Sequence, residues 1–389
     1  MLMNKIKIYQ PKSFTNFQCT MNGCKNNCCQ SWGISIDKPT YEKYSNLEDD
    51  LKKGIFQHLY HKEGQKLEVY IKLDSNGFCP FISEKGLCTL QLKFGYDFLS
   101  EICRVYPRVA CNVGGSPEYF VELSCEAAVN HVLFDKTPLY FEEVELDIEA
   151  YKAKALNYNF FLDTSKYTKD QNGYDIFWKL RVASVTILHS RKYSVRFRML
   201  LLCLFIQEVA ELFVSEQDSK VIPVADEFLN KLNEDFYDEL YASVPGGAER
   251  EFDIVLDVLM EVYNKQIMFR PAMDEVKRGF DMDLSSWTVS EGFNDKYSKY
   301  YDMYLAKNEY ILENYLVYRV LSEGFPFNYR KENDIMSNYV ELYAKFNLVE
   351  FLITGICRRY MKFDKRHICN IVSLFSRGYE HSISKFFQV

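Results

Sequence analysis

Nine of the twelve cysteines in this 389-residue chain fall within the first 125 positions. Cys19, Cys24, Cys28 and Cys29 stand together in "CTMNGCKNNCC", Cys79, Cys88, Cys103 and Cys111 follow, and Cys125 closes the series. Thiolates are ligands for borderline and soft metals. In a reducing compartment such crowding points to zinc or an iron–sulfur centre ahead of disulfides. The opening spacing, Cys-x4-Cys-x3-Cys-Cys, is neither the paired C-x2-C of a zinc ribbon nor a C-x3-C-x2-C triad. Adjacent Cys28 and Cys29 are poorly placed to share one ion, so one is expected to ligate while the other packs or serves a second site. Pro80 directly follows Cys79, and a proline beside a cysteine is common at cluster loops. Arg104 and Arg108 flank the later cysteines and would offset the charge of a tetrathiolate. Four thiolates suffice for one centre and eight would serve two; Cys111 reads equally as a ligand or as a buried thiol.

The elements that must position these thiols are short. "KLEVYIKL" (Lys66 to Leu73) and "EYFVELS" (Glu118 to Ser124) alternate like strands, and "CEAAVNHVLF" from Cys125 reads as a helix. Thr40 is the expected N-cap of the helix or helices in "YEKYSNLEDDLKKGIFQHLY". Small pieces joined by turns need a staple, which a metal centre supplies. From about Asn172 the period becomes helical, with Pro223, Pro245 to Gly247, Pro271 and Gly324 to Phe327 as punctuation. The expected fold is mainly α: a small cysteine-rich α+β metal-binding module over 1–135, joined to a large helical domain over 136–389.

Composition removes other classes. Hydrophobic residues make up 48% and charged residues 26%, as in a folded globular chain, and the net charge of -7 argues against a general nucleic-acid binder. The first fourteen residues carry lysines but no apolar signal core. Met199 to Phe213, the most apolar run, is interrupted by Gln207, Glu208 and Glu211, so it reads as a buried helix and not a membrane span. A cytoplasmic location is expected, with no membrane partner. Between Glu208 and Glu261 fifteen acidic residues face three basic ones, which describes either a solvated acidic surface or a dock for a basic protein.

Three stretches, "CTMNGCKNNCCQSWGISIDKPTYEKY", "CPFISEKGLCTLQLKFGYDFLSEICRVYPR" and "ELSCEAA", together resemble the flagellin lysine-N-methylase family, itself similar to a wider group of zinc- or iron-chelating Cys-cluster proteins. "ILENYLVYRVLSEGFPF" (Ile311 to Phe327) and "SLFSRGYEHSISKF" (Ser373 to Phe386) resemble that family's later motifs. The chain departs mildly where it has Tyr106-Pro107-Arg108 in place of Phe-Pro-Arg, and no proline follows the cysteine of "SCEAA". The resemblance implies methyl transfer from S-adenosylmethionine to lysine side chains of flagellin or a similar surface protein. It also implies an iron–sulfur cluster, of 4Fe-4S type or with zinc in its place, on ligands drawn from Cys19, Cys24, Cys28, Cys29, Cys79, Cys88, Cys103 and Cys125.

A lysine amine must lose its proton, with an ordinary pKa of about 10.4, before it attacks a sulfonium methyl group. Glu380 and His381 in "SRGYEH", then Tyr315 and Tyr318 in "ENYLVYR", are the expected proton acceptors or orienting groups. The chain contains no G-x-G, so the glycine loop of a Rossmann-type methyltransferase is missing. Asn314, Phe325, Pro326 and Arg377 are the expected elements of a cofactor pocket. The alternative from another class is a non-enzymatic iron–sulfur or zinc protein, an electron carrier or a partner-docking module.

Overall fold

The computed structural model describes residues 5–15, 17–20, 23–25, 28–30, 32–61, 68–147, 156–164, 173–244, 252–328 and 334–382. Its strands are β1 (Lys5–Pro11), β2 (Ser35–Ile36), β3 (Leu59–His61), β4 (Val69–Ile71), β5 (Arg108–Val113), β6 (Ser116–Val121), β7 (Phe141–Asp147) and β8 (Leu156–Leu162). The early helices are α1 (Lys12–Thr15), α2 (Lys38–Ser45), α3 (Asp49–Phe56), α4 (Thr89–Phe94), α5 (Glu101–Val105) and α6 (Glu126–Leu133). Then come α7 (Gly173–Leu188), α8 (Val195–Val214), α9 (Val221–Asn233), α10 (Asp238–Ser243) and α11 (Phe252–Lys265). The last are α12 (Arg270–Gly279), α13 (Phe293–Tyr304), α14 (Tyr310–Ser322), α15 (Ile335–Tyr360) and α16 (Lys365–Ser382). The molecule is mainly helical, and among the described residues no helix is long and apolar enough to cross a membrane.

Five strands form one mixed sheet in the order β7-β1-β6-β5-β8. β1 runs antiparallel to β7, from Lys5 opposite Asp147 to Pro11 opposite Phe141, and parallel to β6. β5 and β6 form a hairpin around Gly114 and Gly115, both at positive φ, which is what a two-residue hairpin turn of the favoured hand requires. β1 follows from "KIKIYQ", whose lysines are exposed while Ile8 and Gln10 are buried. A second sheet, β2-β4-β3, is antiparallel throughout.

Packing divides the molecule differently from cysteine content. Ten buried apolar side chains between Ile34 and Leu99, Tyr44, Phe81 and Leu90 among them, form a small core around the three-stranded sheet. The large core takes in Ile8, Val113 and Phe120 of the five-stranded sheet and continues through the helices to Tyr379. A boundary at 135/136 therefore runs through the large core, because β7 beyond it pairs with β1 before it. The N-cap of α2 also differs from expectation: Asp37 fills it, accepting from the Thr40 N–H at 2.9 Å, so Thr40 is the N3 donor. The helical period from about Asn172 corresponds to α7 onward. Among these helices α12 and α15 cross closely, since a Cβ on Gly279 would lie 2.1 Å from the Gly355 carbonyl oxygen.

Sheet and helices are tied by a buried ion pair. Arg181 of α7 grips both carboxylate oxygens of Glu118 of β6, at 2.6 and 2.9 Å, and its guanidinium lies over the Phe177 and Trp178 rings. α6 packs under α14 and α16, which brings the end of the cysteine-rich segment against the last helices.

Candidate functional site

The thiols gather in two groups. Cys29 is held beside Cys79 by a backbone bond, Cys79 N–H to Cys29 O at 2.8 Å, and a bridge between Gln30 and Phe78 continues the pairing. Cys88 is bridged to Ile82 and serves as N-cap of α4, while Cys103 rides on α5. Cys28, Cys29, Cys79, Cys88 and Cys103 thus lie within electrostatic reach of one another at the edge of the small core. The second group is Cys24, Cys125 and Cys369, with Glu126 among them and Cys19 beside Cys24. Cys24 Sγ lies 3.1 Å from Thr20 Oγ1. Cys111 is buried in β5, within the large core.

Burial pushes the Cys79 thiol up to about 11 and those of Cys103 and Cys125 up to about 12. Cys28 goes the other way, to about 7, because the Cys29 side chain hydrogen-bonds it and the Arg377 guanidinium is near; the same contact and burial raise Cys29. The donor chemistry is that of a soft metal site. Among the described residues, however, no three His, Cys, Asp or Glu side chains converge closely enough to hold a metal ion, so a metal-binding module is not established by geometry.

α16 connects these thiols to the helical interior. Arg377 donates from Nε to the Ser124 carbonyl oxygen at 2.8 Å, and the Ser124 hydroxyl lies 3.0 Å from that of Tyr106. The preceding residue, Ser376, is buried and accepts from Arg319 Nη2 at 3.4 Å.

There, α14, α15 and α16 close around a packed, buried cluster of charged side chains, termed the charged chamber. Lys345 of α15 bonds both oxygens of Glu323 at 2.7 Å and lies 3.0 Å from Glu341, while Arg319 of α14 lies 3.3 Å from Glu323. All four are buried. Burial works against the Lys345 charge, but Glu323 and Glu341 outweigh it, and its pKa ends above the ordinary lysine value. The Tyr315 and Tyr379 rings adjoin this network, and their hydroxyls, like Asn338 Oδ1 on α15, have no regular hydrogen-bond partner among the described residues. Burial raises both phenols, Tyr379 well above its ordinary value. Buried ion pairs are seldom needed for stability, and buried polar atoms without partners are rare in folded proteins. Their coincidence in one chamber is the strongest functional signal in the helical region.

The structure places the expected site residues unequally. Tyr315 lines the chamber. Tyr318 uses its hydroxyl to tie β6, accepting from Val121 N–H at 2.7 Å and donating to the Val121 carbonyl oxygen at 2.5 Å. Asn314 donates to the carbonyl oxygens of Leu133 and Asp135, at 3.1 and 2.6 Å, and so anchors the end of α6. Phe325 is buried, a cis peptide joins it to Pro326, and Asn338 donates to the Pro326 carbonyl oxygen at 2.9 Å. Glu380 and His381 belong to α16, and their side chains lie outside the described residues. Arg319, Glu323, Glu341, Lys345 and Tyr379 are further candidates that periodicity alone passes over. The available signal was charge in an apolar register: Asn338, Glu341 and Lys345 recur at three- and four-residue spacing among the buried positions of α15.

Residues 181–387 match the model of the FliB lysine N-methylase C-terminal domain. The chain belongs to the FliB lysine N-methylase family. The matched segment includes α14, α15 and the described part of α16, and therefore the whole charged chamber. Lysine-N-methylases of Salmonella choleraesuis (strain SC-B67) and Salmonella typhimurium (strain LT2) are each 29% identical over 144 residues. That alignment spans only 36% of this chain and 36% of each relative. The flagellar biosynthetic protein FliU of Salmonella muenchen is 30% identical over 136 residues, 34% of this chain and 80% of that protein. No solved structure matches the chain.

Proposed function

We propose that the protein is a lysine N-methyltransferase that moves methyl groups from S-adenosylmethionine to lysine side chains of a flagellin or similar surface protein. The observation that carries this reading is the family match over 181–387, the segment that builds the chamber. S-adenosylmethionine supplies an electrophilic methyl group when bound. Its expected surroundings are the later motifs: Arg377, the Phe325–Pro326 turn, and the chamber behind them, where the Tyr315 and Tyr379 hydroxyls and Asn338 Oδ1 have hydrogen-bonding capacity to offer a polar ligand. The Lys345, Glu323, Glu341 and Arg319 network balances two positive against two negative groups, so the chamber holds its phenols rigidly without a net charge of its own. Tyr379 and Tyr315 are kept protonated by burial and act as hydrogen-bond donors near neutral pH.

The donor set fits a thiolate-bound centre in its chemistry. Cys79, Cys88 and Cys103 with one of Cys28 and Cys29 would hold it, and Cys24, Cys125 and Cys369, with Cys19 beside Cys24, make up the second group. Such a centre, iron–sulfur or zinc, when bound staples the small core and supplies a Lewis-acidic or redox-active metal. Arg377, near Cys28, balances the negative charge that thiolates bring to this face.

The test is anaerobic purification of the full chain with metal analysis and absorption spectroscopy, then calorimetry with S-adenosylmethionine, then incubation with flagellin and intact mass as readout. Cofactor binding and a mass gain of one or more methyl groups are expected. A metal-loaded protein that binds no S-adenosylmethionine and leaves flagellin unmodified would favour a non-enzymatic metal carrier instead.

A further inference from the structure

α8 and α15 lie side by side and antiparallel. They are pinned where the Tyr339 hydroxyl donates to the Met199 carbonyl oxygen at 2.9 Å and where Arg196 Nη2 donates to Asn347 Oδ1 at 3.5 Å. Asn338, Glu341 and Lys345 of α15 are buried. Val340 and Tyr343 of the same helix turn outward and are 47% and 40% exposed. Leu204 of α8 is 38% exposed, and Leu200 and Met336 are half-buried against the large core. Leu200 and Leu204 on one helix, and Met336, Val340 and Tyr343 on the other, recur at three- and four-residue spacing, so each helix presents an apolar stripe. Single exposed apolar side chains are ordinary, but two adjoining stripes suit a third, amphipathic helix laid along them. The Tyr343 ring stacks on that of Tyr339 at 6.2 Å and 14°, so this part of the surface is ordered before a partner arrives.

Beyond Leu204 the outer face of α8 turns acidic. Glu208 and Glu211, one and two turns further on, are exposed. The neighbouring cation, Lys231 of α9, pairs with Glu227 at 2.6 Å. A partner with an apolar stripe and lysines at its margin complements this surface in both shape of pattern and charge.

We propose that this face docks a lysine-bearing amphipathic helix of the protein substrate. Its apolar side lies against Leu204, Val340 and Tyr343, and its lysines reach toward Glu208 and Glu211. The proposal rests on the lysine-methylation reading and adds how the substrate is held. α15 carries the docking stripe on its outer face and chamber residues on its inner one, so a single rigid helix relates the two.

Calorimetry of monomeric flagellin with the full chain, without S-adenosylmethionine, reads docking apart from turnover. The wild-type chain is expected to bind. Leu204→Asp combined with Val340→Asp should weaken binding about tenfold or more, since apolar anchors at the centre of an interface carry most of its affinity. Glu208→Lys combined with Glu211→Lys should weaken it about threefold at low salt, a loss that fades near 1 M salt as screening shortens to about 3 Å. Ile267→Asp, at a 73% exposed apolar position between α11 and α12, should leave affinity unchanged. All these positions are exposed, so the changes spare the core. Unchanged binding in the Leu204 and Val340 variant, an equal loss in Ile267→Asp, or no binding by the wild-type chain overturns the proposal. Self-association of the wild-type chain that the Leu204 and Val340 changes abolish, seen by sedimentation, would overturn it too, by making the face a contact between copies. Methylation of flagellin with docking insensitive to this face would defeat the inference and leave the activity standing. Docking that depends on the face, without methylation, would do the reverse.

Discussion

Ten buried apolar side chains hold the unit around the three-stranded sheet, whereas the core of the five-stranded sheet and the helices extends from Ile8 to Tyr379. Both regions bury titratable groups, and they do so in opposite ways. In the helical region several buried charges are ion-paired: Arg181 with Glu118, Arg198 with Glu313, Lys345 with Glu323 and Glu341. In the small unit the buried titratable groups are the Cys79 thiol and the Tyr44 phenol, which are neutral when protonated and need no counter-ion. A unit of this size draws only about 3–5 kcal/mol from its own core, so it gains most from a staple. The large region can carry polar networks because its packing tolerates their cost.

The largest expected effect tests the paired side of this contrast. Lys345→Met leaves Glu323 and Glu341 facing each other and Tyr379 in a buried site. It should lower the unfolding free energy by about 3–5 kcal/mol, seen as a lower urea midpoint. A loss under about 1 kcal/mol would mean that the network is solvated like a surface pair.

Ile71→Ala should cost about 2–5 kcal/mol, the range for an emptied core site, but within the small unit alone. Amide exchange is expected to rise across the three-stranded sheet and α2–α5 while α14–α16 keep their protection. If the purified chain carries the proposed metal, removing it with a chelator should produce the same regional pattern. Loosening of the whole molecule at once would erase the distinction between the two cores.

Next in size is the pH dependence of the reduced, metal-free chain. Cys103 and Cys125 have folded values of about 12 against an ordinary 9.0. The unfolded chain therefore releases these protons first. Their contribution to stability is complete below pH 9 and is lost as pH rises from 9 toward 12. Thermal midpoints should fall over that window. Cys28 behaves oppositely, and its alkylation should show a midpoint near pH 7, ahead of Cys29, Cys79 and Cys103. Arg377→Gln should move that midpoint upward; an unchanged value would remove Arg377 from the thiol face.

Tyr379→Phe is expected to change stability least, by no more than about 1 kcal/mol in either direction, because it deletes a buried hydroxyl that has no hydrogen-bond partner among the described residues. Methyl transfer should drop all the same if the chamber serves the cofactor. A stability loss above about 2 kcal/mol with activity intact would show that the hydroxyl is structural.

Much of this organisation was readable in the chain. The alternation in "EYFVELS", the helix after Cys125 and the long apolar helices all follow from period, because a buried face imposes its own repeat on the sequence. Other features left no local trace. β7 and β8 complete a sheet begun by β1 and the β5–β6 hairpin, and a strand's partner is chosen by long-range pairing that no window along the chain contains. Asp37, not Thr40, caps α2 because both residue types suit an N-cap and only the backbone shows which hydroxyl or carboxylate meets the N–H groups.

The site divides in the same way. Residue type alone determined that the N-terminal thiols are the chain's soft-donor chemistry and that no glycine loop for a nucleotide is present. Tertiary structure decided which thiols meet. Cys369 joins Cys24 and Cys125 from more than two hundred positions away, and the helices bring Arg319, Glu323, Glu341 and Lys345 into one chamber. The physical reason is that donor identity is a property of single side chains, whereas proximity depends on how helices pack, and that is settled by the whole core at once.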